Sequence, residues 1–172
     1  GMLLGLVLFY VGAVLILNGL WMLERISDRE IWVINLFVGV LSLLAALRQA
    51  FGADADAASV KAAALSLLFS LTYLWLAANR FSGVDGRGLG WFSLFVAITA
   101  VPVAADTLLH AQNTGDVWLG WSWAAWAVLW LLFFMQLVLR KPVTRIAGWL
   151  AIGQGVLTGW LPGYLLLTGV MG

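Results

Sequence analysis

Six long apolar stretches, separated by short charged or polar clusters, constrain this sequence more than any other feature. The stretches cover residues 2–23, 31–47, 60–79, 90–105, 117–139 and 146–170. A helix needs about 20 predominantly apolar residues to cross a bilayer. We therefore predict an all-α membrane protein with six transmembrane helices, built as a single domain over residues 2–170.

The composition agrees with a membrane protein and excludes several other classes. Hydrophobic residues make up 63% of the chain and charged residues only 10%, whereas soluble domains are about 45–50% apolar and about 25% charged. The net charge of +1 argues against a nucleic-acid partner. Cysteine is absent, which removes thiolate chemistry and disulfides. We expect no cofactor and no metal site.

The basic residues predict the orientation of the helices in the membrane. Loops 1, 3 and 5 hold seven of them, namely Arg25, Arg29, Arg80, Arg87, Arg140, Lys141 and Arg145, and loops 2 and 4 hold Arg48 and Lys61. Short loops rich in Lys and Arg stay on the cytoplasmic side. The odd loops are therefore predicted to be cytoplasmic and both termini periplasmic.

Small residues recur at regular spacing on the first and last helices. Gly5, Gly12 and Gly19 repeat every seven residues, and the stripe of the sixth helix repeats every four residues, through Ala151, Gly155, Gly159 and Gly163. Such stripes let helix backbones approach closely in lipid. They predict a tight bundle, and they are compatible with a tight oligomer.

A weak internal repeat runs through the chain. Asn18, Asn79 and Gln136 all lie near the predicted cytoplasmic ends of the odd-numbered helices. This spacing suggests three helix hairpins around a pseudo-threefold axis, although chance similarity among apolar segments explains it equally well.

Ionisable residues are missing from the middle of every span, and the one histidine, His110, lies at or near a loop. Proton relays, ion pathways and membrane enzymes keep such groups at mid-depth in spite of their cost. Their absence argues against an enzyme and favours a neutral solute that moves down its gradient.

Aromatic and polar side chains at mid-depth are the candidate functional residues. Trp123, Trp126 and Trp130 follow three-four spacing on the fifth helix, and Phe69 and Tyr73 share a face of the third helix beside Thr72. Gln154 lies at mid-depth on the sixth helix, four residues before Thr158. Each alone is explained by core packing or an interhelical hydrogen bond. Together they suit a narrow, uncharged pore for a flat dipolar solute such as urea.

Five stretches carry a resemblance to a known family. They are LGLVLFYVGAVLILNG from Leu4, LLFSLTYLWLAANR from Leu67, WFSLFVAITAVP from Trp91, AWAVLWL from Ala125 and WLAIGQGVLTGWLPGYLL from Trp149. In these stretches the sequence resembles the urea/amide channel family (AmiS/UreI), and the resemblance covers nearly the whole chain except the two outer loops.

The resemblance implies a passive channel for urea or short-chain amides, and for water, in the bacterial cytoplasmic (inner) membrane. It implies a six-helix protomer with its own pore, assembled as a homohexamer, and a cytoplasmic urease or amidase as a functional partner. By position, Phe69, Tyr73, Trp126 and Trp130 match constriction residues. Trp123 matches a further pore aromatic, and Val7 and Val11 are expected along the outer part of the pore.

Two departures from the family's acid-gated member predict a channel without acid gating. That member has Glu where this chain has Gln154, and its outer loops are long and rich in histidine, whereas here they contain only His110. The choice between urea and acetamide-like substrates stays open. So do two other functions: a secondary carrier for a small neutral solute, and an accessory membrane protein without a pore.

Overall fold

The computed structural model describes residues 1–172 as a bundle of six long helices. Their bounds are Met2–Met22 (α1), Trp32–Phe51 (α2), Ala57–Ser82 (α3), Arg87–Leu109 (α4), Thr114–Leu137 (α5) and Thr144–Leu167 (α6). Each helix is long and apolar enough to cross a membrane. The predicted all-α architecture with six spans is confirmed.

Several helices extend beyond their apolar stretches because capping residues lie outside the hydrophobic run. The Asp56 carboxylate accepts from the backbone N–H of Ser59 and completes a capping box, so α3 begins before the predicted residue 60. Asn113 caps α5 by accepting from the N–H of Asp116. The fourth helix likewise continues through Asp106 to Leu109 rather than ending at residue 105.

The helices pack as three antiparallel pairs. α2 pairs with α3 and α4 pairs with α5, whereas α1 pairs with α6. Two of these pairs join consecutive helices, whereas α1 and α6 come from opposite ends of the chain, and the internal repeat stays a prediction. The predicted glycine stripes explain this pairing.

Backbone contact between α1 and α6 confirms the role predicted for the small-residue stripes. A Cβ built on Gly155 would lie 2.9 Å from the Gly12 carbonyl oxygen, and one built on Gly19 would lie 2.6 Å from the Gly148 carbonyl oxygen. A Cβ on Gly159 would press on the Gly12 backbone. No larger residue fits this seam unless the two helices separate.

α6 contains a π-helical segment at Gly155–Trp160, just before Pro162. Proline lacks an N–H and its ring crowds the carbonyl four residues earlier, so the helix widens there. The N–H of Leu161 then bonds Val156 O rather than Leu157 O. The Leu157 carbonyl is free to accept from the indole Nε1 of Trp118, which ties α6 to α5.

The centre of the bundle is tightly filled, and its outside is apolar. Val14, Leu129 and Trp130 have no exposed surface. On the outside, Phe95 and Ile98 are each more than half exposed. Such a surface requires lipid or further protein to cover it.

Candidate functional site

Two cavities enter the bundle from opposite ends. We call the end that carries loops 1, 3 and 5 the basic end, and the end that carries both chain termini the terminal end. The terminal-end cavity measures about 300 Å³. Five predicted pore residues line it, namely Val7, Val11, Phe69, Trp123 and Trp126.

The basic-end cavity is smaller, with a volume of about 60 Å³. One water needs roughly 10–15 Å³ on this measure, so the cavity can hold a few waters or one small solute. Two predicted pore residues, Thr72 and Tyr73, line it together with Leu15 and Phe133. The Tyr73 hydroxyl is buried and has no hydrogen-bond partner in the protein.

A thin layer of side chains, which we call the septum, separates the two cavities. They share no lining residue. On α1 the lining changes from Val11 to Leu15, and on α3 from Phe69 to Tyr73, each four residues apart. One helical turn rises about 5.4 Å, so the septum is roughly one turn thick. In this structure the septum separates the two cavities, whereas the sequence suggested one narrow pore.

Aromatic rings from α3 and α5 form the septum. The ring of Phe69 meets Trp126 at 4.9 Å and 71° and Trp130 at 5.1 Å and 87°, both edge-to-face. It also contacts Trp123 at 5.3 Å. Trp126 is 2% exposed and Trp130 is fully buried. Edge-to-face pairs contribute about 0.5–1.5 kcal/mol each beyond the area that they bury, so these rings hold one another in place.

The two central indoles are fixed by threonines. Trp126 Nε1 donates to Thr158 Oγ1 at 2.9 Å, and Trp130 Nε1 donates to Thr72 Oγ1 at 3.2 Å. The Thr158 hydroxyl donates in turn to the Gln154 carbonyl, at 2.6 Å. An indole N–H at the centre of a membrane needs an acceptor, and here helices α3 and α6 supply it.

Comparison with known proteins assigns the chain to a family. A family model described as AmiS/UreI family transporter matches residues 3–170. The chain belongs to the AmiS/UreI family. It is therefore a transporter-family protein, a multi-pass protein of the bacterial inner membrane, and not a member of an enzyme family.

Relatives of this AmiS/UreI protein include transporters and a channel. It is 42% identical to a putative amidate substrates transporter protein of Mycolicibacterium smegmatis over 167 residues, which cover 96% of this chain and 76% of the relative. It is 38% identical to the acid-activated urea channel of Helicobacter pylori, with 95% and 96% of the two chains covered. The structure superposes on the closed state of the Helicobacter pylori urea channel with a TM-score of 0.85 at 37% identity, covering 98% and 100% of the two chains.

Gln154 stands apart from the other predicted residues. It lines neither cavity, and its Nε2 donates to the Ala125 carbonyl on α5 at 2.9 Å. Its Oε1 is buried without a partner. In the structure this side chain joins α6 to α5 beside Thr158, and its place in the pore stays a prediction.

Arg80 also lines the basic-end cavity, although it was not among the pore residues predicted from the sequence. Its side chain is 23% exposed and lies 4.9 Å from the Trp21 ring. Asp28, in the first loop, approaches it to 3.7 Å and accepts from Trp21 Nε1 at 2.6 Å. Arg80 follows Tyr73 by seven residues, which places both on one helix face, and this spacing was the signal available in the sequence.

The other charges of the AmiS/UreI protein lie near the two ends of the bundle. In loop 3, Asp85 approaches Arg87 at 2.9 Å and Arg140 at 3.6 Å. The backbone N–H of Arg87 and the guanidinium groups of Arg87 and Arg140 hold the pKa of Asp85 below its usual range. At the terminal end, Lys61 pairs with Asp106 at 3.0 Å. Neither pair borders the septum.

Proposed function

We propose that this AmiS/UreI protein is a passive channel for urea and short-chain amides, and for water, with one pore in each protomer. The observation that carries the proposal is the pair of cavities that meet, end to end, at an aromatic septum about one helical turn thick. Val7, Val11, Phe69, Thr72, Tyr73, Trp123, Trp126, Trp130 and Gln154 are the proposed pore residues.

The geometry of the septum suits the passage of a flat, neutral solute. A small rotation of Phe69 away from Trp126 can open a slot between the two rings, and a planar solute can pass through it. The Trp126 and Trp130 indoles are tied to Thr158 and Thr72, so they form the fixed wall. Phe69 has no such tie and is the side chain that we expect to move.

The chemistry of the septum disfavours ions. Its walls are aromatic and aliphatic, with no acidic or basic side chain between the two cavities. An ion would lose its water shell there without a compensating charge, at a cost of several kcal/mol or more. A neutral amide loses only a few hydrogen bonds.

Acid gating is not part of the proposal. Among side chains, only histidine has an ordinary pKa near the middle of the physiological range, and the one histidine, His110, is 76% exposed at the terminal end. It lines neither cavity. The Helicobacter pylori relative is named as an acid-activated channel, so under this proposal the two proteins differ in their response to acid.

Assembly and partners complete the proposal. We propose a homohexamer, supported by the wide apolar outer surface and testable by native mass spectrometry from detergent. The relatives named for amidate substrates and urea support the substrate class. Cytoplasmic hydrolysis of that substrate by a urease or an amidase would maintain the inward gradient.

Stopped-flow measurements on proteoliposomes test the function. Vesicles that contain the protein are exposed to gradients of urea, acetamide and glycerol, and the rates are compared with those of empty vesicles. We expect faster entry of urea and acetamide, linear in concentration and equal at acid and neutral pH. Rates equal to those of empty vesicles for all three solutes would contradict a channel.

The same proteoliposomes distinguish a channel from a carrier, because a septum between two cavities is compatible with either mechanism. A carrier saturates, and an unlabelled solute gradient drives counterflow of labelled solute. Counterflow above the level of simple exchange, together with a saturating rate, would replace the channel by alternating access at the septum.

A further inference from the structure

Three carboxamide side chains border the basic-end cavity. Asn18, Asn79 and Gln136 come from α1, α3 and α5, which all run from the terminal end to the basic end. Asn18 is 4% exposed and Asn79 is 5% exposed. One carboxamide is thus contributed by each of the three parallel helices that surround the pore axis.

The hydrogen bonds of Asn18 are partly satisfied by the protein. Its Nδ2 donates to Asn35 Oδ1 at 3.0 Å, and its Oδ1 accepts from Asn35 Nδ2 at 2.7 Å. Asn35 has no exposed surface and donates its other N–H to the Ile31 carbonyl at 3.0 Å. Asn35 therefore fixes the Asn18 amide and leaves it one further N–H and one further lone pair toward the cavity.

Asn79 and Gln136 differ, because neither side chain forms a hydrogen bond to the protein. Asn79 is 5% exposed and Gln136 is partly exposed, and both residues line the cavity. Helix-to-helix bonding explains the Asn18–Asn35 pair, but it does not explain these two residues. Their free donors and acceptors are available to water or to a solute that enters the cavity.

We propose that Asn18, Asn79 and Gln136 form a binding subsite for one urea or primary amide molecule on the basic side of the septum. This subsite rests on the proposed channel function and adds chemical selectivity to it. A primary amide presents a carbonyl acceptor and an NH₂ donor in one plane, which is the complement of a carboxamide side chain. The buried Nε–H of Arg80, which also has no partner, adds a donor for the solute oxygen.

The subsite has a consequence that the septum alone lacks. A septum selects by size and flatness, so it treats urea and thiourea alike apart from their width. A carboxamide subsite selects by the strength of the acceptor, and sulfur is a weak acceptor. The ratio of urea to thiourea permeability therefore reports on the subsite. Water permeability does not, because water both donates and accepts hydrogen bonds and can bond to the remaining polar groups when one carboxamide is removed.

Two variants test the subsite with near-isosteric apolar replacements. Asn79→Leu and Gln136→Met each remove a donor and an acceptor, and we expect each to lower the urea-to-thiourea permeability ratio by roughly three- to tenfold, the effect of about one hydrogen bond. Water permeability should change by less than about twofold. Gln112→Met, which removes a carboxamide at the opposite end of the bundle, is the matched control and should leave the ratio unchanged.

A direct binding measurement keeps the test decisive if Asn79→Leu fails to fold. In nanodiscs, selective ¹⁵N labelling resolves the side-chain NH₂ signals, and urea titration should shift those of Asn79 and Gln136 but not that of Gln112. An unchanged ratio in Gln136→Met, or shifts equal at all three residues, would overturn the subsite. Wild-type vesicles no more permeable than empty ones would instead refute the channel.

Discussion

Adding one methyl group to the α1–α6 seam should destabilise the whole bundle. In Gly159→Ala the new Cβ would lie 2.5 Å from Gly12 Cα and 3.0 Å from the Leu8 carbonyl oxygen. Ordinary contacts begin near 3.4 Å, so the first distance is about 0.9 Å too short. The opposing atoms are backbone, and they cannot rotate away as a side chain could.

The magnitude follows from the separation that the clash requires. A gap of about 0.5–1 Å forfeits roughly a quarter to a half of the attraction between each pair of atoms, and each pair contributes about 0.1–0.2 kcal/mol. Over a few tens of pairs along the seam the loss is about 2 kcal/mol, within the range of about 1–3 kcal/mol for overpacked cores.

Gly153→Ala is the matched control on the same helix. A Cβ at Gly153 has no neighbour within 4 Å, so this variant keeps only the gain in helix propensity, up to about 1 kcal/mol. Unfolding both variants by SDS titration in mixed micelles, with tryptophan fluorescence as the signal, should give free energies that differ by about 2 kcal/mol. Equal unfolding free energies for Gly153→Ala and Gly159→Ala would refute the close backbone approach.

Three further changes address the pore. Trp130→Phe removes the hydrogen bond to Thr72 and leaves the septum incompletely filled. The free energy of unfolding in SDS should fall by about 1 kcal/mol, and stopped-flow water permeability should rise. If neither quantity changes, Trp130 does not help to fill the septum. Arg80→Gln removes a positive charge from the basic-end cavity. Guanidinium uptake should rise by about tenfold relative to urea uptake, which is equivalent to roughly 1.4 kcal/mol of lost repulsion. An unchanged uptake ratio would exclude a role for Arg80 in rejecting cations. His110→Ala should leave urea permeability equal between about pH 5 and pH 8; a pH response in the wild type that this variant loses would reveal gating.

Some features of the site could be predicted from local sequence because they follow from periodicity. Three-four spacing placed Trp123, Trp126 and Trp130 on one face of α5, and the structure places the first two along the terminal-end cavity and the third behind Phe69. The partners of the indoles could not be predicted in the same way. Thr72 and Thr158 lie 58 and 32 residues from the tryptophans they bond, and no local pattern links positions so far apart.

The six spans were determined by the sequence alone, because a bilayer accepts only long apolar helices and each loop carries its own charges or caps. The tertiary structure decided which helices pair, because the Gly12 and Gly159 backbones must meet before the seam between α1 and α6 exists. It also decided that a septum about one turn thick separates the two cavities, because this layer depends on how Phe69 packs against two indoles from another helix. Contacts between distant segments determine these features, and the spacing of residues along one helix does not predict the geometry of such contacts.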